Sequence, residues 1–366
     1  SVRSGRSVGP GEALGVAMSV FVTRRIPAEG LRVLSQASGC RVQQWDSEEP
    51  VPRAELLSRV AGTRGLLCLL SDRIDREVLD AAGGCGTPFP LPPSSGPSAQ
   101  ARQRCSCLTG PGLKVISTMS VGFDHLALDE IKKRGIRVGY TPDVLTDATA
   151  ELSVALLLSA CRRLPEAAEQ VKSGGWTTWK PLWMCGYGLS DSTVGIIGLG
   201  RIGQAVARRL RPFGVKKFLY TGSGPKPESA AEFGAEFVPL TRLAEESDFV
   251  VVTCALTPAT QGMCNKDFFS RMKKTSVFVN TSRGAVVNQE DLYDALSQGQ
   301  IAAAGLDVTT PEPLPTDHPL LSLKNCVILP HIGSATYATR STMAVLAANN
   351  LLAGLRGEPM PHELKL

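Results

Sequence analysis

The chain has 366 residues, of which 43% are hydrophobic, so it is long enough for about two domains of ordinary size. Its formal net charge is +5, and part of this excess lies in residues 1–17 and 84–112. The sequence has no basic stripe interleaved with aromatic residues and no apolar run of about 18 residues. We therefore expect neither a nucleic acid nor a membrane as a partner.

The N-terminal residues 1–17 lack the sustained apolar core of a signal peptide, and we expect them to be a disordered extension ahead of Met18. The ten cysteines include no CxxC pair, so we expect no metal site. Most of them stand singly in apolar segments, as buried free thiols in a reducing compartment do. This pattern predicts a cytoplasmic protein, and the C-terminal Glu363–Leu366 only weakly resembles a peroxisomal signal.

Short apolar runs alternate with helix-like segments, which predicts parallel sheets with crossover helices and therefore an α/β fold. The predicted strands are Ser19–Thr23, Gly65–Leu70, Lys114–Thr118, Val194–Ile197, Phe218–Tyr220, Phe249–Thr253, Ser276–Val279, Ala302–Leu306 and Cys326–Leu329. Helical patterns between these strands include Ala28–Ala37, Asp75–Ala82, Ile202–Pro212 and Gln289–Gln298.

Two long helical segments, Asp147–Arg163 and Thr336–Leu355, divide this pattern into two Rossmann-like domains. We predict that residues 145–336 form a dinucleotide-binding domain. Residues 18–144 and 337–366 would form a flavodoxin-like, substrate-binding domain. A cleft between two such domains is the expected ligand site.

Residues 84–112 fit neither domain, because they are rich in Pro, Gly and Ser and have no apolar period. They interrupt the step from the predicted helix Asp75–Ala82 to the predicted strand Lys114–Thr118. This composition favours a disordered insertion. The alternative is a binding loop that presents Pro88–Pro93 as a polyproline ligand.

A glycine-rich fingerprint follows one predicted strand and opens a helix, in the run Val194–Gly203. Gly198 would allow the tight turn, Gly200 would let a pyrophosphate approach the backbone, and Gly203 would let the helix pack on the strand. The helix that includes Ile202 would direct its first amides at the phosphates. This context predicts a dinucleotide site.

The turn after the next strand indicates which dinucleotide is bound. An NAD site usually has an acidic residue about 20 residues beyond the glycines, to bind the ribose diol. The run Phe218–Lys226 contains no acid, whereas Ser223, Lys226 and Arg201 offer polar or cationic groups to a 2′-phosphate. We therefore favour NADPH as the cofactor, although a neutral turn would also accept NADH.

Three side chains near the ends of predicted strands match the needs of carbonyl reduction by hydride. His331 is the candidate general acid, since the ketone oxygen gains negative charge as the hydride arrives. Glu312 beside the imidazole would favour its charged form and fix its tautomer. Arg283 would bind a substrate carboxylate or polarise the carbonyl. Singly, these residues also fit a core histidine, a loop acid and a turn cation, and it is their combination that indicates a reductase.

Other candidates surround this set. Asp307 closes a predicted strand and is a candidate for binding the nicotinamide carboxamide. Gly333 is a further cofactor-binding candidate, and Ser334 a substrate-binding one.

The segments GLGRIG, SRG, GLDVTTPEP and LPHIGSAT resemble the D-isomer-specific 2-hydroxyacid dehydrogenases, over residues 18–83 and 113–366. Segments such as VFVTRRIPAEG and NNLLAGLRGEP are most similar to the vertebrate members that reduce glyoxylate and hydroxypyruvate. The resemblance implies Arg283, Glu312 and His331 as the catalytic set. It also implies NADPH-dependent reduction of hydroxypyruvate to D-glycerate and of glyoxylate to glycolate.

The resemblance further implies that backbone amides at Val121 and Gly122 bind the substrate carboxylate. It implies a homodimer in which the aromatic arm Trp176–Tyr187 packs on the partner. The chain departs from the family pattern in residues 1–17 and 84–112. It also has Ser223 where the most similar members have arginine.

Three alternatives stay open from the sequence. One is an NAD-dependent 2-hydroxyacid dehydrogenase of other specificity. Another is a dinucleotide-sensing binding protein, like the corepressors that share this fold. A third is an inactive splice form that carries the segment 84–112.

Overall fold

A computed structural model of the chain describes residues 18–83 and 112–366. The predicted extension 1–17 lies outside the described residues, as does the predicted insertion apart from its last residue, Gly112. Within the described part of the chain, no helix is both long and apolar enough to cross a membrane.

The chain divides into two units. The first contains the described residues up to Thr141 together with Ser341–Leu366, and the second is Pro142–Arg340. The first boundary, between Thr141 and Pro142, lies a few residues before the predicted one.

The first unit contains a five-stranded parallel sheet in the order β2-β1-β3-β4-β5. This is the flavodoxin-like strand order, as predicted. Its elements are β1 Met18–Val22, α1 Ala28–Ser35, β2 Cys40–Gln44, α2 Arg53–Val60, β3 Gly65–Cys68, α3 Arg76–Ala82, β4 Val115–Thr118, α4 Leu128–Lys133 and β5 Arg137–Gly139. The strands β3 and β4 are buried along their whole length, which explains the apolar sequence of β3, although β4 ends in the buried polar residues Ser117 and Thr118.

The second unit contains a seven-stranded parallel sheet in the order β12-β11-β10-β9-β6-β7-β8. The strands from β11 to β8 have the order of a dinucleotide-binding fold, and β12 extends the sheet at one edge. Its elements are α5 Thr146–Cys161, α6 Leu164–Lys172, β6 Thr193–Ile197, α7 Arg201–Leu210, β7 Lys217–Thr221, α8 Pro227–Ala231, β8 Glu236–Phe237, α9 Leu240–Glu246, β9 Phe249–Val252, α10 Lys266–Arg271, β10 Val277–Asn280, α11 Gln289–Ser297, β11 Ala303–Leu306 and β12 Cys326–Ile328. The last helix, α12 Tyr337–Arg356, begins in this unit and ends in the first.

Each sheet is held by an apolar core. In the second unit, α5 and α7 pack with Val194, Ile196 and Val251. A second cluster, which includes Phe269 and Phe278, involves α10 and α11. All these side chains are almost completely buried. Burial on both sides fixes the strands, so the loops at their carboxyl ends start from fixed positions.

The two residues that flank the segment 84–111 lie side by side. A methyl group in place of the hydrogen of Gly112 would stand 3.6 Å from the Cα atom of Gly83. The Cα atoms of Gly83 and Gly112 are therefore close in space, and a small local shift would bring them to the roughly 3.8 Å that separates bonded neighbours.

We predict that deleting residues 84–111 and joining Gly83 to Gly112 keeps the fold. Removing a long loop saves about 0.6 kcal/mol of closure entropy for each halving of its length, so the melting temperature should stay equal or rise. Thermal unfolding followed by circular dichroism checks this. A markedly lower melting temperature would show that the segment stabilises the first unit.

Candidate active site

The glycine fingerprint forms a compact turn between β6 and α7. Gly198 has a left-handed φ of 99°, which favours glycine. A methyl group at Gly203 would lie 2.4 Å from the carbonyl oxygen of Gly198, so a larger residue would force α7 away from the turn. A side chain at position 200 would meet nothing within 4 Å, which leaves the backbone open to a ligand. The turn therefore fits a dinucleotide pyrophosphate at the first amides of α7, including that of Ile202.

The turn after β7 places a cation against this loop. The Lys226 ammonium donates a hydrogen bond to the Leu199 carbonyl oxygen at 3.1 Å, inside the fingerprint. The Lys226 amide donates to Tyr220 Oη at 2.8 Å, which ties the turn to its strand. Ser223 is exposed in the same turn. The ammonium therefore lies beside the glycine loop, and its binding of a 2′-phosphate stays a prediction.

Arg201 was also predicted to bind the cofactor. In the structure it forms an ion pair with a residue that the sequence analysis did not single out. Its guanidinium forms a short ion pair with Asp143. Asp143 has a left-handed φ of 71°, which is uncommon for a residue with a side chain. Nothing in the local sequence indicates this pairing, because the two residues are far apart along the chain.

Arg283 lies just after β10, in a turn held by the last residue of that strand. Asn280 is completely buried, and its side chain donates to the Arg283 carbonyl oxygen at 2.9 Å and accepts from the Ser282 amide at 3.0 Å. The Arg283 guanidinium donates to the Ser282 carbonyl oxygen at 2.8 Å. The arginine is therefore presented from a fixed turn at the carboxyl end of the sheet.

Glu312 and His331 form the central contact of the site. Nδ1 of His331 lies 2.8 Å from Oε2 of Glu312, while Oε1 of Glu312 accepts the Thr309 amide at 3.0 Å. With Nδ1 facing the carboxylate, Nε2 is the ring nitrogen for exchanging a proton with a ligand. The structure thus brings together the acid and carboxylate that the sequence predicted as a pair.

Electrostatics support this pairing. Burial alone would raise the pKa of Glu312. The hydrogen bond and charge of His331, the Thr309 amide and the charge of Arg283 outweigh burial and hold that pKa below its usual value. All three predicted catalytic residues are therefore electrostatically coupled, and the carboxyl group of Glu312 stays ionised.

Asp307 directly follows β11, as predicted, and its binding of a nicotinamide carboxamide stays a prediction. Its side chain is buried, and its carboxylate accepts the amides of Ile332 and Gly333, next to His331. Burial raises the pKa of Asp307 despite these bonds and the nearby charge of His331. Ser334 is half-buried in the same turn.

Val121 and Gly122 belong to the first unit, and hydroxyl groups hold the turn that contains them. Ser120 Oγ donates to the Gly122 carbonyl oxygen and lies 2.7 Å from Thr118 Oγ1. The same Thr118 hydroxyl lies 3.0 Å from Nε2 of His125. The sequence analysis missed this network, although several hydroxyl side chains and a histidine around a glycine turn were a visible signal.

No set of three or more His, Cys, Asp or Glu side chains in residues 18–83 and 112–366 is arranged to bind a metal ion.

Comparisons with known proteins agree with this geometry. Residues 154–333 match the profile of the D-isomer specific 2-hydroxyacid dehydrogenase, NAD binding domain. The chain is 69% identical over 349 residues to the glyoxylate reductase/hydroxypyruvate reductase of Homo sapiens, an alignment that covers 95% of this chain and 98% of that protein.

Two solved structures are also similar. The TT0316 protein from Thermus thermophilus is 41% identical and has a TM-score of 0.82, with 95% of this chain and all of that chain covered. The NADPH-dependent glyoxylate/hydroxypyruvate reductase of Sinorhizobium meliloti, solved with NADP and malonate, is 28% identical with a TM-score of 0.74. That match covers 95% of this chain and 97% of that one.

The chain is an α/β oxidoreductase with an NAD-binding domain. It belongs to the D-isomer specific 2-hydroxyacid dehydrogenase family, as the sequence motifs indicated.

The lowered pKa of Glu312 predicts a pH-dependent contribution to stability. Because the folded state holds this pKa below its unfolded value of about 4.3, the ionised group stabilises the fold above that pH. This contribution is lost as the pH falls through the folded pKa. Glu312→Gln should therefore lower the free energy of unfolding by about 1 kcal/mol at pH 7, and the difference should shrink below about pH 4.

Urea unfolding of both proteins between neutral and acidic pH measures this difference. Glu228→Gln, at an exposed site in α8, is the control and should leave stability nearly unchanged. A difference for Glu312→Gln that does not change with pH would contradict the ion-pair account.

Proposed function

We propose that this chain catalyses the NADPH-dependent reduction of hydroxypyruvate to D-glycerate and of glyoxylate to glycolate. The observation that carries the proposal is the 2.8 Å contact of His331 with Glu312 near the charge of Arg283, in the unit that contains the glycine loop. The substrates follow from the names of the human and Sinorhizobium relatives.

The reaction divides between cofactor and protein. When bound, the reduced nicotinamide supplies the hydride. Arg283 provides the cation that pairs with the carboxylate of a 2-keto acid, which orients the adjacent carbonyl group. Nε2 of His331 donates a proton to the carbonyl oxygen as negative charge develops there. Glu312 stabilises the imidazolium before the proton leaves and holds the ring in one orientation.

Other residues support binding. On the family resemblance, we propose that amides of Val121 and Gly122 bind the substrate carboxylate. Ser334, in the turn after His331, is proposed as a further polar contact for the substrate. Gly333 has no side chain at this turn, and we propose that its backbone faces the cofactor.

The test is oxidation of NADPH by each keto acid, with the wild type and with His331→Gln. The variant should lose about 100-fold or more in kcat, because glutamine cannot act as a general acid, while NADPH affinity persists. His318→Gln is the matched control, since the His318 ring accepts the Leu320 amide in another loop of the same unit. Full turnover by His331→Gln would refute the assignment.

The preference for NADPH rests on Lys226. Arg201 is already paired with Asp143, and Ser223 adds only a hydroxyl group, so Lys226 is the cation we assign to the 2′-phosphate. This cation can also stabilise the glycine loop through Leu199, and the two roles predict different kinetics.

Lys226→Ala should raise the KM for NADPH about tenfold or more, because a charge-assisted hydrogen bond to the phosphate is lost. The KM for NADH should change much less. Lys216→Ala, just before the start of β7, is the control for loss of one positive charge. Equal increases for both cofactors would show that Lys226 only holds the loop.

We also propose that the chain forms a homodimer through the arm Trp176–Tyr187. The arm exposes large apolar side chains, with Trp179 80% and Leu182 87% exposed, and such patches are rare on monomers. A cavity of about 410 Å³ beside it is lined by residues that include Cys161 and Tyr187. A second copy of the arm would cover this surface.

We infer that the protein works in the cytoplasm. Every cysteine in the described part of the chain is a free thiol, which suits a reducing compartment. Burial raises the pKa of Cys161 and of Cys254 to about 11, so these thiols stay protonated and unreactive.

A further inference from the structure

We propose that Asp307 is a positioning residue for His331, because it binds the backbone of the turn that carries the imidazole. The proposal rests on the proposed function and assigns Asp307 a task other than contact with the nicotinamide. Asp307 accepts hydrogen bonds from three consecutive backbone amides, those of residues 331–333, which makes the turn a rigid extension of β11.

The hydrogen bonds are short, and they are accepted by both the backbone carbonyl group and the side-chain carboxylate of Asp307. Its carbonyl oxygen accepts the His331 amide at 2.8 Å. Its carboxylate accepts the Ile332 amide with Oδ1 at 2.7 Å and the Gly333 amide with Oδ2 at 2.8 Å. Asp307 is 1% exposed, so water does not compete for these bonds.

We call these three hydrogen bonds the Asp307 clamp. The backbone conformation of His331 explains why it is needed. Its φ is 55°, in the left-handed region that residues with side chains rarely occupy. Such a conformation persists where surrounding bonds over-determine it. A left-handed residue also makes successive amides converge into a concavity that binds anions. Here the anion is the carboxylate of Asp307.

The end of β11 also positions Glu312, the partner of His331 in the ion pair. The Leu306 carbonyl oxygen accepts the Leu329 amide at 2.8 Å, just before the turn. The Thr309 amide donates to Glu312 at 3.0 Å, just after Asp307. The stretch 306–309 therefore fixes His331 on one side and Glu312 on the other, and sets the 2.8 Å between them.

Gly333 permits the close approach. A methyl group there would stand 3.1 Å from Oδ2 of Asp307 and 3.4 Å from the Thr149 side chain. A methyl group at this position would therefore crowd the Asp307 carboxylate, and the amide and the carboxylate would have to shift by a few tenths of an ångström. Gly333 thus supports the clamp through its small size.

The primary test is Asp307→Asn. The carboxamide keeps the shape but replaces one oxygen by an NH₂ group, which meets a backbone amide donor to donor. Loss of the clamp should displace the imidazole and lower kcat about 100-fold, while the dissociation constant of NADPH stays near the wild-type value. Asp248→Asn is the matched control, since Asp248 accepts the Thr193 amide at 2.8 Å ahead of β9, and it should keep the wild-type kcat.

A double-mutant cycle separates positioning from direct contact with the cofactor. If Asp307 acts through His331, Asp307→Asn should cost little further activity in a His331→Gln background. If the same loss occurs in both backgrounds, Asp307 acts independently of His331 and the proposal is overturned. The proposed function is tested separately, by the His331→Gln variant alone.

A spectroscopic readout does not depend on turnover. The chain has four histidines, so isotope labelling gives few imidazole resonances, and His331→Gln identifies the one of interest. Asp307→Asn should shift that resonance, as Glu312→Gln should, whereas Asp248→Asn should not. An unchanged His331 resonance in Asp307→Asn would overturn the proposal.

A second variant covers the case in which Asp307→Asn does not fold. Gly333→Ala keeps the Asp307 carboxylate and displaces the amide that it binds. It should shift the same resonance in the absence of NADPH and lower kcat. Wild-type values for both would contradict the clamp.

Discussion

The chemistry of the second unit depends on one constraint, which is that all seven strands of its sheet run parallel. The carboxyl ends of these strands therefore lie at one edge, and the loops that leave them come together. The glycine loop follows β6, Lys226 follows β7, Arg283 follows β10, and His331 follows β12. The glycine loop and Lys226 are in contact, and Arg283, Glu312 and His331 are electrostatically coupled, although these residues lie far apart in sequence.

Hydrogen bonds to the backbone of the loops fix the positions of the side chains in this site. The side chains of Asn280 and Asp307 bind amides that position Arg283 and His331, and the Thr309 amide binds Glu312. The proposed catalytic groups are thus held by hydrogen bonds at or just after the ends of β10 and β11. An acid, a carboxylate and a cation fixed in this way suit a reaction in which charge develops on one oxygen atom.

The sequence predicted nine strands, most of them buried and apolar, because parallel strands covered on both faces have continuous apolar runs. The ninth, β12, is apolar but only half-buried at the edge of its sheet. It missed three strands. One is β2, where Cys40–Gln44 alternates half-buried and exposed residues at the edge of its sheet. The others, β5 and β8, have only three and two residues, too few for a periodic signal.

The sequence also suggested that Arg283, Glu312 and His331 lie together, since hydride reduction of a keto acid needs a proton donor, a carboxylate and a cation, and the structure couples these three residues. The bonds that position them were not. The pairing of Asp143 with Arg201 and the clamp of Asp307 on the His331 turn both involve residues with positive φ that are not glycine. A sequence gives no local sign of such conformations, because they depend on tertiary contacts.

The central claim is that hydride and proton reach a carbonyl group whose orientation the protein fixes. Deuterium transfer from NADPH labelled at the reactive position of its nicotinamide, in a single turnover with hydroxypyruvate, tests this most directly. The account predicts glycerate with one deuterium at C2 and the D configuration only. Racemic glycerate, L-glycerate or product without deuterium would contradict it.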